Sequence, residues 1–100
     1  MDAIVIGAGI IGSSIAWRLA QKGLSVALLD AGKAASEASW AGAGMLAPGG
    51  EVTDRTEWSD FAVDSLHLYP AFVAELERET GCPIDYQQNG ALEIAATEAD

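Results

Sequence analysis

The hexapeptide Gly7-Ala8-Gly9-Ile10-Ile11-Gly12 follows the apolar run Ala3-Ile4-Val5-Ile6 directly and opens a segment with helical apolar spacing. No other feature constrains the fold of this chain as much. A glycine triplet of this spacing is common on its own, and its meaning comes from context: a strand before it, a helix after it, and an acidic residue at the end of a second apolar run, roughly twenty residues past the last glycine. Asp30 supplies the acid, after Val26-Ala27-Leu28-Leu29. Gly7 permits a tight exit from the strand. Gly9 removes the side chain that would keep a pyrophosphate off the backbone, and Gly12 lets the helix lie close to the strand. N–H groups at the helix start, with the positive end of the helix dipole behind them, then face the phosphates. These residues predict a dinucleotide-phosphate cradle, with Asp30 accepting from the hydroxyls of an unphosphorylated adenosine ribose.

The elements around the motif agree with it. Residues 10–22 place Ile11, Ile15 and Leu19 on one stripe with Ala16 and Ala20 beside them, as a packed helix does. Gly23 suits the left-handed position after a helix, and Leu24 the apolar residue that folds back on the last turn. Residues 25–30 read as a second strand, apolar on both faces like a buried parallel strand, which completes a right-handed βαβ unit. Residues 31–56 show no period and are rich in Ala, Gly and Ser, and a connection that long is usually functional. From Trp58 the helical spacing returns through Phe61, Ala62, Leu66, Tyr69, Phe72, Val73 and Leu76 and ends at Gly81. Pro70 lies inside this helix, removes one donor and crowds the Leu66 carbonyl, which predicts a kink or a division into two helices. Residues 84–88 and 91–95 read as two strands joined at Asn89-Gly90, a hairpin signal.

Length and charge bound the rest. One hundred residues that are 50% hydrophobic are enough for a small core, yet a dinucleotide fold builds on about five or six strands. Thr97-Glu98-Ala99-Asp100 resembles a helix start, so the chain is expected to be the N-terminal piece of a larger protein. A formal charge of −10 argues against nucleic acid and against anionic membrane surfaces as partners. Cys82 is the only cysteine, which excludes an intrachain disulfide and a thiolate metal site. The apolar run near the start is preceded by Asp2 instead of a basic residue and is broken by glycines, unlike a signal sequence; a cytoplasmic protein is expected.

A second segment, Ser39-Trp40-Ala41-Gly42-Ala43-Gly44-Met45-Leu46, has four consecutive small residues that leave the backbone bare for a flat ring. Such a surface suits an isoalloxazine, whose reduced form gains from peptide N–H groups near its reactive nitrogen. Ser39 offers a hydroxyl to a phosphate or ribitol, and Met45 a soft apolar contact beside the ring. His67 on the polar side of the long helix reads as a surface residue with no partner positioned by sequence. Glu75, Glu77 and Glu79 read as a solvated face without His or Cys to make a metal site, and Arg55 as a surface base.

Together, Gly7 to Gly12, Asp30 and above all Ser39 to Leu46 resemble the D-amino-acid-oxidase-like FAD-dependent oxidoreductases, and within them the glycine-oxidising branch of thiamine biosynthesis. The likeness extends through the Leu68-Tyr69 helix and the Asn89-Gly90 hairpin. The chain departs from the family's habit of Glu at the place of Asp30, and of a small or hydroxyl residue at the place of Trp40. The resemblance implies an α/β fold: residues 1–83 as part of a Rossmann-like FAD-binding domain, and 84–100 as the start of a substrate-binding antiparallel sheet. It implies FAD held by Gly7, Gly9, Ile10, Ile11 and Gly12 at the helix start, by Asp30 and Ala31 at the ribose, by Ala38 and Ser39 near the middle, and by Ala43, Gly44 and Met45 at the ring. It further implies hydride transfer from a small amine or amino-acid substrate to the flavin and reoxidation by O2 to H2O2, the imine hydrolysing to glyoxylate and ammonia when glycine is oxidised. A homo-oligomer is left open. The family's substrate-binding arginine and tyrosines fall later than residue 100, so no catalytic residue is expected in this stretch, which alone should be inactive and bind FAD weakly. A sarcosine oxidase, a D-amino-acid dehydrogenase and a non-catalytic nucleotide-binding module remain the competing readings.

Overall fold

The computed structural model describes residues 1–48, 54–90, 92 and 94. Contacts divide it into two compact units, Met1–Met45 and Leu46–Asp100.

In the first unit, β1 (Ala3–Ile6), α1 (Ile10–Gln21) and β2 (Val26–Leu29) form the expected βαβ arrangement. The strands pair in parallel, with Ala3 opposite Val26 and Ile6 opposite Leu29. The pairing runs past both strand ends. Asp2 N–H donates to the Ser25 carbonyl (2.8 Å) and Gly7 N–H to that of Leu29 (2.7 Å), so the ladder continues into the glycine motif. Gly7 then turns the chain at φ +99°, a conformation L side chains rarely adopt. At its far end α1 closes as a Schellman motif: Gly23 N–H reaches the Ala20 carbonyl (2.9 Å) and Leu24 N–H that of Leu19 (3.2 Å).

The helix sits on the sheet at glycine distance. A Cβ on Gly12 would lie 1.9 Å from the Gly7 carbonyl oxygen and 3.4 Å from Val5 Cγ1. Ala8 and Ala16 are the buried residues of this unit, small side chains that suit so close an approach. The expectation that the strands are covered on both faces holds on one side only. Ala3 and Val5 are half-buried, whereas Ile4 and Ile6 on the opposite face are exposed, Ile6 at 85%. One crossover helix can cover only one face of a sheet, and within this unit no second helix of comparable length exists.

The long connection is not wholly irregular. A single helical turn, α2 (Ala38–Ala41), follows Glu37, whose carbonyl accepts from Trp40 and Ala41 N–H at 3.0 Å each. One turn is too short to produce a helical period, so the sequence pattern could not register it.

The second unit is organised by α3 (Glu57–Thr80). Thr56 caps it in a reciprocal box with Ser59: Ser59 N–H donates to Thr56 Oγ1 (3.1 Å) and Thr56 N–H to Ser59 Oγ (2.8 Å). The helix ends at Gly81 as expected, at φ 68°. It passes through Pro70 as one element, so the expected division into two helices does not occur. Pro70 removes only its own donor to the Leu66 carbonyl, a single hydrogen bond in a helix of 24 residues. Val73 is buried on that face, and Tyr69 and Phe72 meet edge to face (6.1 Å). Trp58 and Phe61, read as part of the same stripe, are instead exposed and stack on each other at 5.9 Å.

Beyond α3, residues 82–90 carry no regular secondary structure. The strand expected at 84–88 is therefore not formed among the described residues, and the opposing 91–95 lies, apart from Leu92 and Ile94, outside them. The segment turns back on its helix instead: Ile84 N–H donates to Glu77 Oε1 (2.7 Å) and Tyr86 stacks on Tyr69 (6.4 Å). Alternating apolar residues become a strand only with a partner ladder, and a lone hairpin is marginal in water. The expected helix start at 97–100 also lies outside the described residues. No helix among the described residues is long and apolar enough to cross a membrane.

The Gly12 contact has a direct consequence. In the full-length protein, Gly12→Ala should force α1 away from β1 and cost more than the about 1–3 kcal/mol of an ordinary overpacked methylene, read as a large fall in the thermal unfolding midpoint. An unchanged midpoint would show that the helix can step outward freely.

Candidate functional site

Where β1 and β2 end, the chain encloses a groove of about 210 Å3 lined by Gly7, Gly9, Asp30, Lys33, Ala35, Ser36, Glu37, Ala38 and Ser39. The glycine motif forms one wall. The start of the long connection and α2 form the other, and two hydrogen bonds hold them together. Ile10 N–H, one of the free donors of the first turn of α1, donates to Ser39 Oγ at 3.0 Å. Ala35 N–H donates to the Ala8 carbonyl at 2.9 Å. Ala35 does so from φ +56°, a left-handed conformation that costs a non-glycine residue about 1–2 kcal/mol.

Gly9 differs from Gly12 in what surrounds it. A Cβ there would meet only Ser39 Oγ, at 3.0 Å, and no backbone. The rotatable hydroxyl can give way, so the chain itself tolerates a side chain at Gly9; the space matters to whatever enters the groove. An approaching anion would find the positive end of α1 on one side and, on the other, the Ser39 hydroxyl, whose proton can be donated while its oxygen accepts from Ile10 N–H. These groups suit a phosphate.

Asp30 closes the far end of the groove. Its Oδ2 accepts from Ala8 N–H at 2.7 Å and its Oδ1 from Gly32 N–H at 2.8 Å. These backbone donors, Ala8 foremost and then Gly32, hold its carboxyl below the usual carboxylate range, outweighing a small opposing effect of burial.

Several residues singled out from the sequence thus meet in one place: Gly7, Gly9, Asp30, Ala38 and Ser39 line the groove and Ile10 donates across it. Gly12 supports it from behind. Ile11, Ala31, Ala43, Gly44 and Met45 do not line it, and Ile11 and Met45 are largely exposed. Lys33, Ala35, Ser36 and Glu37 line the groove without having been singled out. Only Lys33 carried a usable signal, as a lone base in an acidic chain just past Asp30. Among the described residues, no group of three or more His, Cys, Asp or Glu is arranged to hold a metal. His67 is exposed on α3, and the Arg55–Asp60 ion pair (2.9 Å) is a surface pair of little energetic weight.

Asp30 gives the site a testable pH dependence. Its pKa is lowered by folding, so its stabilising contribution is complete above the unfolded value and is lost as pH falls through the folded one. A side-chain carboxyl NMR titration should show a midpoint below the usual aspartate range, with the Ala8 amide resonance moving at the same pH. A midpoint at or above that range would contradict these bonds.

With this geometry in view, comparison with known proteins is informative. Residues 2–100 match the family described as FAD dependent oxidoreductase (DAO). The chain is 37% identical to the glycine oxidase of Bacillus subtilis (strain 168) over 99 residues, which are 99% of this chain and 27% of that protein. It is 32% identical over 95 residues to 4-methylaminobutanoate oxidase (formaldehyde-forming) from Paenarthrobacter nicotinovorans, covering 94% of this chain and 11% of that one. The crystal structure of glycine oxidase from Geobacillus kaustophilus superimposes with a TM-score of 0.76 at 36% identity, over 80% of this chain and 22% of that chain. The chain spans about a quarter of the length of the glycine oxidases it matches. A family match along nearly all its length, a shared βαβ fold and a phosphate-type groove at the glycine motif lead to one conclusion: the chain belongs to the DAO family of FAD-dependent oxidoreductases.

Proposed function

We propose that this chain is the N-terminal FAD-binding segment of an amine or amino-acid oxidase acting on glycine, or on a small amine such as sarcosine, with O2 as electron acceptor. The observation that carries the reading is the hydrogen bond from Ile10 N–H to Ser39 Oγ, because it joins the phosphate-type end of α1 to the small-residue segment in one site. A glycine motif alone serves many dinucleotides. The adjoining Ala41, Gly42, Ala43 and Gly44, exposed and nearly free of side chain, suit a flat ring system that a nicotinamide site does not require.

In this reading Gly7, Gly9, Ile10, Ile11 and Gly12 hold the pyrophosphate, Asp30 and Ala31 the adenosine ribose, Ala38 and Ser39 the middle of the cofactor, and Ala43, Gly44 and Met45 the ring. When bound, FAD supplies the two-electron acceptor, taking a hydride from the substrate's α-carbon and passing the electrons to O2 as H2O2. The residues of this chain bind and orient. The dipole of α1 and the Ser39 hydroxyl offset phosphate charge in an acidic protein, and Asp30 selects an unphosphorylated ribose.

Likeness to two glycine oxidases supports glycine as substrate, and the match to 4-methylaminobutanoate oxidase supports keeping the wider class of small amines. A role in thiamine biosynthesis rests on resemblance to the glycine-oxidising branch. The cytoplasmic placement rests on the single cysteine and the acidic, glycine-broken start. Residues 1–83 belong to the FAD domain in this reading, and 84–100 begin the substrate-binding sheet.

Two measurements on the full-length protein test the proposal. Gly9→Val should leave a folded protein that purifies without flavin absorbance, since the branched side chain fills the phosphate approach; normal flavin content in that variant contradicts the assigned site. The unaltered protein should release H2O2 with glycine or sarcosine, with D-alanine as the third substrate compared. No release with any of the three rules out the oxidase reading.

A further inference from the structure

We propose that Asp30 is a positioning residue for the pyrophosphate loop as well as a ribose ligand: its carboxylate holds the Gly7-Ala8-Gly9 turn in its phosphate-accepting shape before any nucleotide arrives. The inference rests on the flavin-site reading and goes beyond the ribose contact.

Three observations carry it. Ala8 is the most buried of the described residues, at 5% exposure, so its amide has no ready access to water and needs a protein acceptor. The acceptor is Asp30 Oδ2, at the short distance of 2.7 Å, from 22 residues away. Backbone pairing cannot serve in its place. The ladder ends with Gly7 N–H on the Leu29 carbonyl, and the chain leaves strand geometry at Gly7. The Ala8 carbonyl is held as well, by Ala35 N–H, so Asp30 at the end of the groove and Ala35 on its opposite wall fix this residue between them. The turn is therefore ordered by a charge-assisted bond from its own chain, which lowers the ordering cost that an incoming pyrophosphate would otherwise meet.

The two roles are compatible. An ionised carboxylate offers about four acceptor positions, and the Ala8 and Gly32 amides use two of them. Asp30 is exposed on its other side, so ribose hydroxyls can donate to the remaining lone pairs while the Ala8 bond persists. One side chain thereby links the ribose end of the groove to its phosphate end.

The test separates this role from ribose recognition. Binding of FAD, and of an FAD analogue lacking the 2′ and 3′ hydroxyls of the adenosine ribose, is measured on the flavin-stripped full-length protein and on Asp30→Ala and Asp30→Asn. Asp30→Ala should weaken both ligands, the analogue by about 10- to 100-fold, the range expected from loss of one charge-assisted hydrogen bond. Asp30→Asn, which keeps the shape and a weaker neutral acceptor, should fall between; it carries the test if the alanine variant does not fold. Hydrogen exchange of the Ala8 amide in the stripped protein should quicken in both variants, a change that ribose contact cannot produce. If the variants bind the analogue as tightly as the unaltered protein, or leave Ala8 protected, the inference is overturned while the flavin site stands. If the unaltered protein binds neither flavin, the site reading fails and takes the inference with it.

Discussion

Everything in the first unit depends on how near α1 comes to the end of β1. With the Cβ position of Gly12 only 1.9 Å from the Gly7 carbonyl oxygen, helix and turn approach as closely as backbone atoms allow. That approach aims the first turn of α1 at the ends of the strands, where open α/β sheets bind their ligands. Hydrogen bonds then refine the placement. The ladder continues to Gly7, Asp30 anchors Ala8, and Ile10 reaches Ser39, so the turn is tied both to the end of β2 and to α2.

An acidic chain that receives an anionic cofactor poses an electrostatic problem, and the answer is local. The formal charge of −10 is spread over surface side chains that water and salt screen, whereas the groove lies at the positive end of α1 and carries the Ser39 hydroxyl. Lys33 stands among its lining residues. Asp30 would oppose phosphate if its charge faced the same opening. Its two carboxylate oxygens are instead engaged by the amides of Ala8 and Gly32, which makes its negative charge part of the loop's framework.

The parts readable in the sequence are those fixed by local chemistry. The βαβ unit, the Schellman end at Gly23 and Leu24, the end of α3 at Gly81 and the convergence of Gly9, Asp30 and Ser39 follow from glycine positions and apolar spacing. The parts that could not be read depend on something outside the local pattern. Spacing alone put Trp58 and Phe61 on a buried stripe, but burial needs a surface to pack against, and both are exposed. Alternation proposed a strand at 84–88, but a strand needs a ladder, and that segment instead hydrogen-bonds Glu77 and stacks on Tyr69. Pro70 does not divide α3: one missing donor does not by itself end a 24-residue helix. The lining residues Ser36 and Glu37 left no signal because they lie in an irregular stretch just before α2, where no period exists.

The bare half of the sheet and the open ring segment have a common explanation in the architecture. Ile4, Ile6 and Leu29 share the face that α1 does not cover, and parallel sheets in α/β proteins are ordinarily covered on both faces. The groove, at about 210 Å3, is smaller than the roughly 300–1,000 Å3 of typical small-molecule sites. It is open to solvent, so a ligand larger than this volume can extend beyond it, and Met45, on the ring segment, is exposed. In the proposed reading the groove holds the cofactor by its charged middle. The family assignment rests on the glycine motif and the βαβ unit, whereas Ala43, Gly44 and Met45 on the ring segment do not line this groove, which is why a strong family assignment and an open choice among small amines coexist in one short stretch of chain.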